Sequence, residues 1–150
     1  MADVRLPIRI RSINAILREE HGSVRPLTAD ELRVLSRYAR LMELSIEDVW
    51  PVDTGRSRDG WSSRLLGPRE DGPGILIWNP VEYVSWVHYA GRPAVIWQQV
   101  VRDAIAQFRG PLLQDMRAEI RRTEARLDQG ADFLDIISQS FRPSRFSAVA

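Results

Sequence analysis

Polar and apolar residues alternate at the start of the chain. Residues 4–10 read Val-Arg-Leu-Pro-Ile-Arg-Ile, a period of two that is typical of a strand with one buried face. Pro7 has no N–H to donate to a neighbouring strand, so we expect the strand at 3–11 to lie at the edge of a sheet. A short helix is predicted next, reaching Glu20 and stopped by His21 and Gly22.

The following segment has helical periodicity. Thr28 and Glu31 have the spacing of a capping box, in which each side chain bonds the backbone of the other residue. Apolar residues then recur at helical spacing, namely Leu32, Leu35, Tyr38, Ala39, Met42 and Ile46. The pattern predicts a long helix from about 29 to 48, ended by the proline at position 51.

Two apolar runs at 62–68 and 75–79 flank a segment rich in turn-forming residues. This arrangement predicts a β-hairpin over about 62–79, with Gly72-Pro73-Gly74 at its tip. A short helix is expected over 81–90.

An apolar stripe from Ile96 to Leu127 predicts helical structure that ends at Gly130. Gly110-Pro111 is expected to break or kink this helix, because proline removes an N–H and clashes with the preceding turn. The predicted fold class is α+β, with a small antiparallel sheet made of the 62–79 hairpin and the N-terminal edge strand. A long N-terminal helix and C-terminal helices pack with it. We expect a single domain at 1–130 and a mobile or partner-ordered tail at 131–150.

The composition of the chain excludes several kinds of functional site. The chain has no Cys, which excludes disulfides, Cys-ligated zinc and thiol nucleophiles. Its two His residues are too few for a multi-His metal site, so no metal and no cofactor are expected. The formal net charge of +1 gives no field that would favour nucleic acid or a membrane. Arg117, Arg121 and Arg122 alternate with acidic residues, which favours a solvated, salt-bridged helix face over sequence-specific DNA binding.

The triplet Asp53-Thr54-Gly55 is open to two interpretations. In an aspartic protease such a triplet lies in a buried loop, and two loops bring paired carboxylates together. Here the charged segment Arg56-Ser57-Arg58-Asp59 follows it directly, and burying several charges is costly. We therefore favour a rigid turn in which Asp53 accepts backbone hydrogen bonds and Gly55 supplies unusual dihedral angles. The alternative is an aspartic-protease-like or other hydrolase that uses Asp53 as its acid or base, with His88 as helper.

An ordered set of motifs resembles a known family. Pro-Val-Asp-Thr-Gly-Arg follows a long helix, and a hairpin, an Asn-x-x-x-Tyr-Val element and a Val-His-x-x-Gly element come after it. Over about 29–110 the chain is similar to minor tail or neck (tail-completion) proteins of tailed bacteriophages. The residues that match the family's structural motif are Asp53, Thr54, Gly55, Arg56, Asn79, Tyr83, His88 and Gly91.

The resemblance implies a non-enzymatic virion protein of the head-to-tail connection, acting as a ring of identical copies. The implied neighbours are head-completion or connector proteins and tail-tube or tail-terminator proteins, with DNA passing through the ring and no membrane partner. The implied location is the neck or tail of the virion, and the bacterial cytoplasm during assembly. From the residues we predict subunit or partner contacts at Arg56, Arg58, Trp86, Arg92, Phe133, Ile136 and Phe146.

Overall fold

The computed structural model describes residues 4–49, 60–69, 72–80 and 96–130. In these ranges the chain forms three strands and three helices. Their order is β1 (Val4–Arg9), α1 (Arg11–His21), α2 (Ala29–Val49), β2 (Ser62–Arg69), β3 (Gly72–Asn79) and α3 (Ile96–Asp128). The predicted α+β class, the hairpin and the long N-terminal helix are confirmed. The predicted 81–90 helix and the 131–150 tail lie outside the described residues.

The sheet has the order β1-β3-β2 and both strand pairs are antiparallel. β1 lies at an edge of the described sheet, as the position of Pro7 predicted. β3 is the central strand, and the register places Ile75 opposite both Ile8 and Leu65. These three side chains therefore share one face of the sheet, because cross-strand partners point to the same side.

The hydrophobic core lies between this face and the three helices. The sheet contributes Ile75 and Ile77, both fully buried. The helices contribute the largest share of the cluster, which includes Ile13, Leu17, Leu35, Met42, Ile46, Leu112, Met116 and Ile120. α1 and α2 pack against the sheet, and α3 packs against both of these helices.

The predicted start of α2 and the predicted end of α1 are both confirmed. The Thr28 N–H donates to Glu31 Oε1 at 2.8 Å, and the Glu31 N–H donates to Thr28 Oγ1 at 3.2 Å. This reciprocal pair satisfies two N–H groups that the first turn of α2 leaves without helical partners. Gly22 ends α1 with a φ of 94°, a left-handed conformation that favours glycine.

The hairpin tip is shorter than predicted. Gly72, Pro73 and Gly74 were expected at the tip, but they form the first part of β3. Ile10 donates its N–H to the Pro73 carbonyl at 3.0 Å, so this stretch is held by the segment between β1 and α1. Gly72 has a φ of 103°, and a Cβ added there would lie 2.5 Å from the Ile10 carbonyl oxygen. Glycine is therefore favoured here both by the positive φ and by the close approach of the Ile10 backbone.

Gly110-Pro111 was expected to break or kink the helix; the break is absent, since α3 runs through both residues. Pro111 is exposed, and Leu112 and Met116 beyond it are buried in the same core as Ala104 before it. Packing on both sides of the proline therefore holds the helix together, although one helical hydrogen bond is lost at Pro111. Gly130 follows the end of α3 with a φ of 90°, as predicted.

Candidate functional site at one end of the sheet

Asn79 is the one predicted motif residue that lies in the described part of the chain. It is the last residue of β3, is fully buried and pairs in register with Val4. The remaining predicted motif and contact residues lie outside the described ranges. They are Asp53, Thr54, Gly55, Arg56, Arg58, Tyr83, Trp86, His88, Gly91, Arg92, Phe133, Ile136 and Phe146.

The register of the hairpin brings the attachment points of the two motif segments together. The first segment, 50–59, enters β2, which begins at Ser62, and the second, 81–91, follows the end of β3 at Asn79. Ser62 is the antiparallel partner of Trp78. The two segments, which are separate in sequence, therefore join the fold at the same end of the sheet. We call this region the motif end and define it by Trp61, Ser62, Ser63, Trp78 and Asn79.

A buried polar contact lies beneath the motif end. The Ser63 hydroxyl donates to Glu43 Oε2 at 2.8 Å, and Arg40 pairs with the other oxygen of the same carboxylate. Glu43 is 7% exposed and Trp61 2% exposed. A buried carboxylate is tolerated when it is paired and hydrogen-bonded. The contact ties α2 to the start of β2, on either side of the first motif segment.

The chemistry available to Ser63 and Glu43 is limited. A serine nucleophile needs a general base to take its proton, usually histidine, and a third group that orients this base. The described part of the motif end contains no histidine. A relay of the serine–histidine–acid type would need His88, which lies outside the described residues. The described geometry supports a role in fixing the two segments.

A second polar cluster, built around the buried Arg25 and Glu31, lies near the other end of α2. Arg25 donates to both oxygens of Glu31, at 2.7 and 2.9 Å, and its Nε donates to Glu124 at 3.2 Å. Burial disfavours the charged Arg25, but the hydrogen bonds and charges of Glu31 and Glu124 outweigh it and raise the pKa of Arg25. His21 Nδ1 lies 3.0 Å from the Glu124 carboxylate. We call these four residues the Arg25 cluster; it joins the α1–α2 loop to the last part of α3.

The basic residues of α3 form the salt-bridged surface that the sequence predicted. Arg117 contacts Glu19 at 2.8 Å, and Arg121 contacts Glu20 at 2.8 Å. Hydrogen bonding to Arg117 lowers the pKa of Glu19. These two partners belong to α1, whereas Arg122 pairs at 2.8 Å with Glu119 of its own helix, as the sequence pattern suggested. The ion pairs on this surface therefore hold α1 against α3, and their charged groups also remain in contact with water.

Sequence reasoning missed the Glu43–Ser63 contact and the Arg25 cluster. One signal was present for Glu43, which stands within the apolar stripe between Met42 and Ile46. A charged residue at such a position must find a partner when the helix packs. For Arg25 the sequence carries no comparable signal, because a loop residue has no periodicity.

Within the described residues no group of three or more His, Cys, Asp or Glu side chains could hold a metal ion. The helices in that part of the chain include none that is long and apolar enough to span a bilayer. No protein-family model, curated protein or solved structure matches this chain.

Proposed function

We propose that this chain is a non-enzymatic structural protein of the head-to-tail connection of a tailed phage or phage-like particle. Identical copies form a ring at the neck or tail end of the particle, and DNA passes through it. The ring contacts head-completion or connector proteins on one side and tail proteins on the other.

One observation carries the proposal: the two segments that contain the motifs of the phage neck resemblance are attached to the same end of the described sheet. The Asp-Thr-Gly-Arg segment and the Asn79-to-Gly91 segment join the same end of the sheet. The Glu43–Ser63 contact at 2.8 Å stiffens that end. A pair of segments mounted on one rigid end can act as a single contact surface.

The described sheet also supports assembly. β1 and β2 flank the central strand, and in the described ranges no further strand pairs with either of them. The outer backbone groups of an edge strand can pair with a strand of another molecule. A closed ring of identical chains needs two different surfaces that fit each other, and a sheet with two unlike edges offers such surfaces.

The decisive experiment is a mass measurement of the purified protein, alone and mixed with the products of its neighbouring genes. We expect a discrete closed oligomer, alone or after mixing, and flanking capsid, portal and tail genes. A chain that stays monomeric with every neighbouring product would contradict the proposal.

The substitution Asp53→Asn separates the structural interpretation from the hydrolase alternative. A turn-forming aspartate would lose about 0.5–2 kcal/mol of folding stability, as capping residues do, and assembly would suffer only through folding. A hydrolase would keep its fold and lose turnover of a peptide substrate. Asp59→Asn, a little further along the same segment, is the matched control. Peptide cleavage by the wild type that Asp53→Asn abolishes would establish the enzyme instead.

A further inference from the structure

An exposed groove runs between α2 and α3. It is lined by Leu41, Leu44, Ser45, Asp48, Gln107 and Phe108 and has a volume of about 440 Å³. We call it the α2–α3 groove. Leu41 is 37% exposed and Leu44 42% exposed, and they are among the few large apolar side chains of the described residues left open to solvent.

The walls of the groove are fixed by contacts within the chain. The Phe108 ring packs edge-on against Tyr38, with 6.3 Å between ring centroids. Ser45 Oγ donates to Gln107 Oε1 at 3.4 Å across the two helices. A preformed surface of this kind binds a partner with little loss of conformational freedom.

The charge at this end of α2 specifies the chemistry of the partner. The last turn of the helix carries the exposed Asp48 and contains no basic residue. The carboxyl end of a helix already has negative partial charge, which favours cations and disfavours acidic side chains. The groove thus combines apolar side chains with negative charge. A segment that carries aromatic and arginine side chains complements it.

The sequence contains one such segment near its end. Residues 141–146 read Phe-Arg-Pro-Ser-Arg-Phe, with two aromatic rings and two guanidinium groups and no acidic residue. Its proline favours an extended backbone, which limits the entropy lost on binding. The exposure of Leu41 and Leu44 in the single chain leaves the groove open to another molecule.

We propose that the α2–α3 groove binds residues 141–146 of a neighbouring copy of this chain. The inference rests on the proposed ring and names one of its contacts. A tail that leaves one copy and enters a groove on the next is a head-to-tail contact, which closes a ring when the rotation between copies permits.

Single-cysteine cross-linking tests this contact, because the chain has no cysteine of its own. Purified Leu44→Cys and Phe146→Cys proteins are mixed, oxidised and digested with trypsin, and linked peptides are identified by mass spectrometry. We expect a 44–146 disulfide between different molecules. Ser36→Cys is the control, since it is exposed on the same helix and lies about 12 Å from position 44 along the axis. We expect it to give about tenfold less linkage, because a disulfide tolerates little separation.

Exchanging the charges of the groove and the tail tests whether they attract each other. Asp48→Arg added to the Leu44→Cys protein should reduce the 44–146 yield. Arg142→Asp with Arg145→Asp in the Phe146→Cys protein should restore it. Equal yields of disulfide with position 146 from positions 36 and 44 would overturn the proposal. So would a 44–146 yield that does not change when the charges are exchanged. A chain with both Leu44→Cys and Phe146→Cys gives a further check, since a 44–146 bond that forms only within one molecule would also overturn the proposal.

The mass measurement separates this inference from the proposed function. A closed ring without 44–146 linkage would refute the groove contact and leave the structural role standing. A chain that stays monomeric with all neighbouring products would refute the structural role itself.

Discussion

At the residue scale, ion pairs in this protein differ in how far they are removed from water. The side chains of Arg25 and Glu31 are 5% and 0% exposed, whereas those of Arg33 and Asp30 are 51% and 37% exposed. Removing one partner of a buried pair leaves an uncompensated charge in the interior. Breaking an exposed pair costs little, because water replaces the lost partner.

Replacing Arg25 with Ala should therefore destabilise the fold strongly. We expect the free energy of unfolding to fall by about 3–5 kcal/mol, since Glu31 is left charged and buried. The control Arg33→Ala should cost less than about 1 kcal/mol. Urea denaturation of both variants measures the difference. Equal losses would show that the Arg25 cluster does not behave as a buried network.

Tyr38 gives a pH-dependent prediction. Burial, followed by the hydrogen bond to Asp115, raises the pKa of Tyr38. The stability gained from the neutral hydroxyl is thus present below the unfolded-state pKa of about 10. It is lost as the pH rises through the higher folded-state pKa. Ultraviolet titration of the wild type minus Tyr38→Phe should give a midpoint above about 10, and Asp115→Asn should lower it. A midpoint at or below about 10 would contradict the described contact.

At the scale of elements, periodicity predicted most of the fold. The alternation at 4–10 became β1, and the stripe with the Thr28–Glu31 box became α2. The predictions from local sequence were wrong where contacts with distant residues decide the structure. The glycines at 72 and 74 indicated a turn because the sequence does not show the Ile10 backbone that approaches Gly72. Pro111 indicated a break or a kink, and no break occurs because both sides of it pack in one core that the sequence does not show.

Gly110 lies inside α3 beside open space, so it offers a direct test of the continuity of that helix. A Cβ added there meets nothing within 4 Å. Gly110→Ala should stabilise the fold by about 0.5–1 kcal/mol, which raises Tm by about 1–4 °C in a chain of this size. Gly22→Ala is the control and should lower Tm, because its φ of 94° disfavours alanine. Calorimetry measures both. A lower Tm for Gly110→Ala would show that α3 is irregular at this point.

At the scale of the whole molecule, the two ends of α2 have different roles. The Arg25 cluster joins the loop before α2 to the end of α3. The contact between Glu43 and Ser63 supports the motif end. Glu31 and Glu43, which anchor these two contacts on α2, lie about 18 Å apart along the helix axis. The sequence predicted the motif residues but not that their segments share one end of the sheet. That fact depends on strand register, which pairs residues far apart in the chain.

The predicted tail also has a test at this scale. Trypsin should cut the isolated protein first after Arg145, because an unpacked terminus is the preferred site of proteolysis. Intact-mass measurement over time follows the loss of the last residues. Assembly should slow this cleavage if the tail docks on a neighbour. A monomer whose tail resists trypsin as well as the core would contradict the prediction.

The position of β3 between its two neighbours has a consequence for synthesis on the ribosome. β1 is made first, yet the residues that pair with it are added about 65–75 positions later. At translation rates of about 5–20 residues per second, the nascent β1 waits roughly 3–15 s for its partner. During this time its backbone can pair with other chains. Pro7 and the arginines at 5 and 9 interrupt its apolar pattern, as residues that hinder aggregation do, so replacing them should lower the yield of soluble protein before it alters the finished fold.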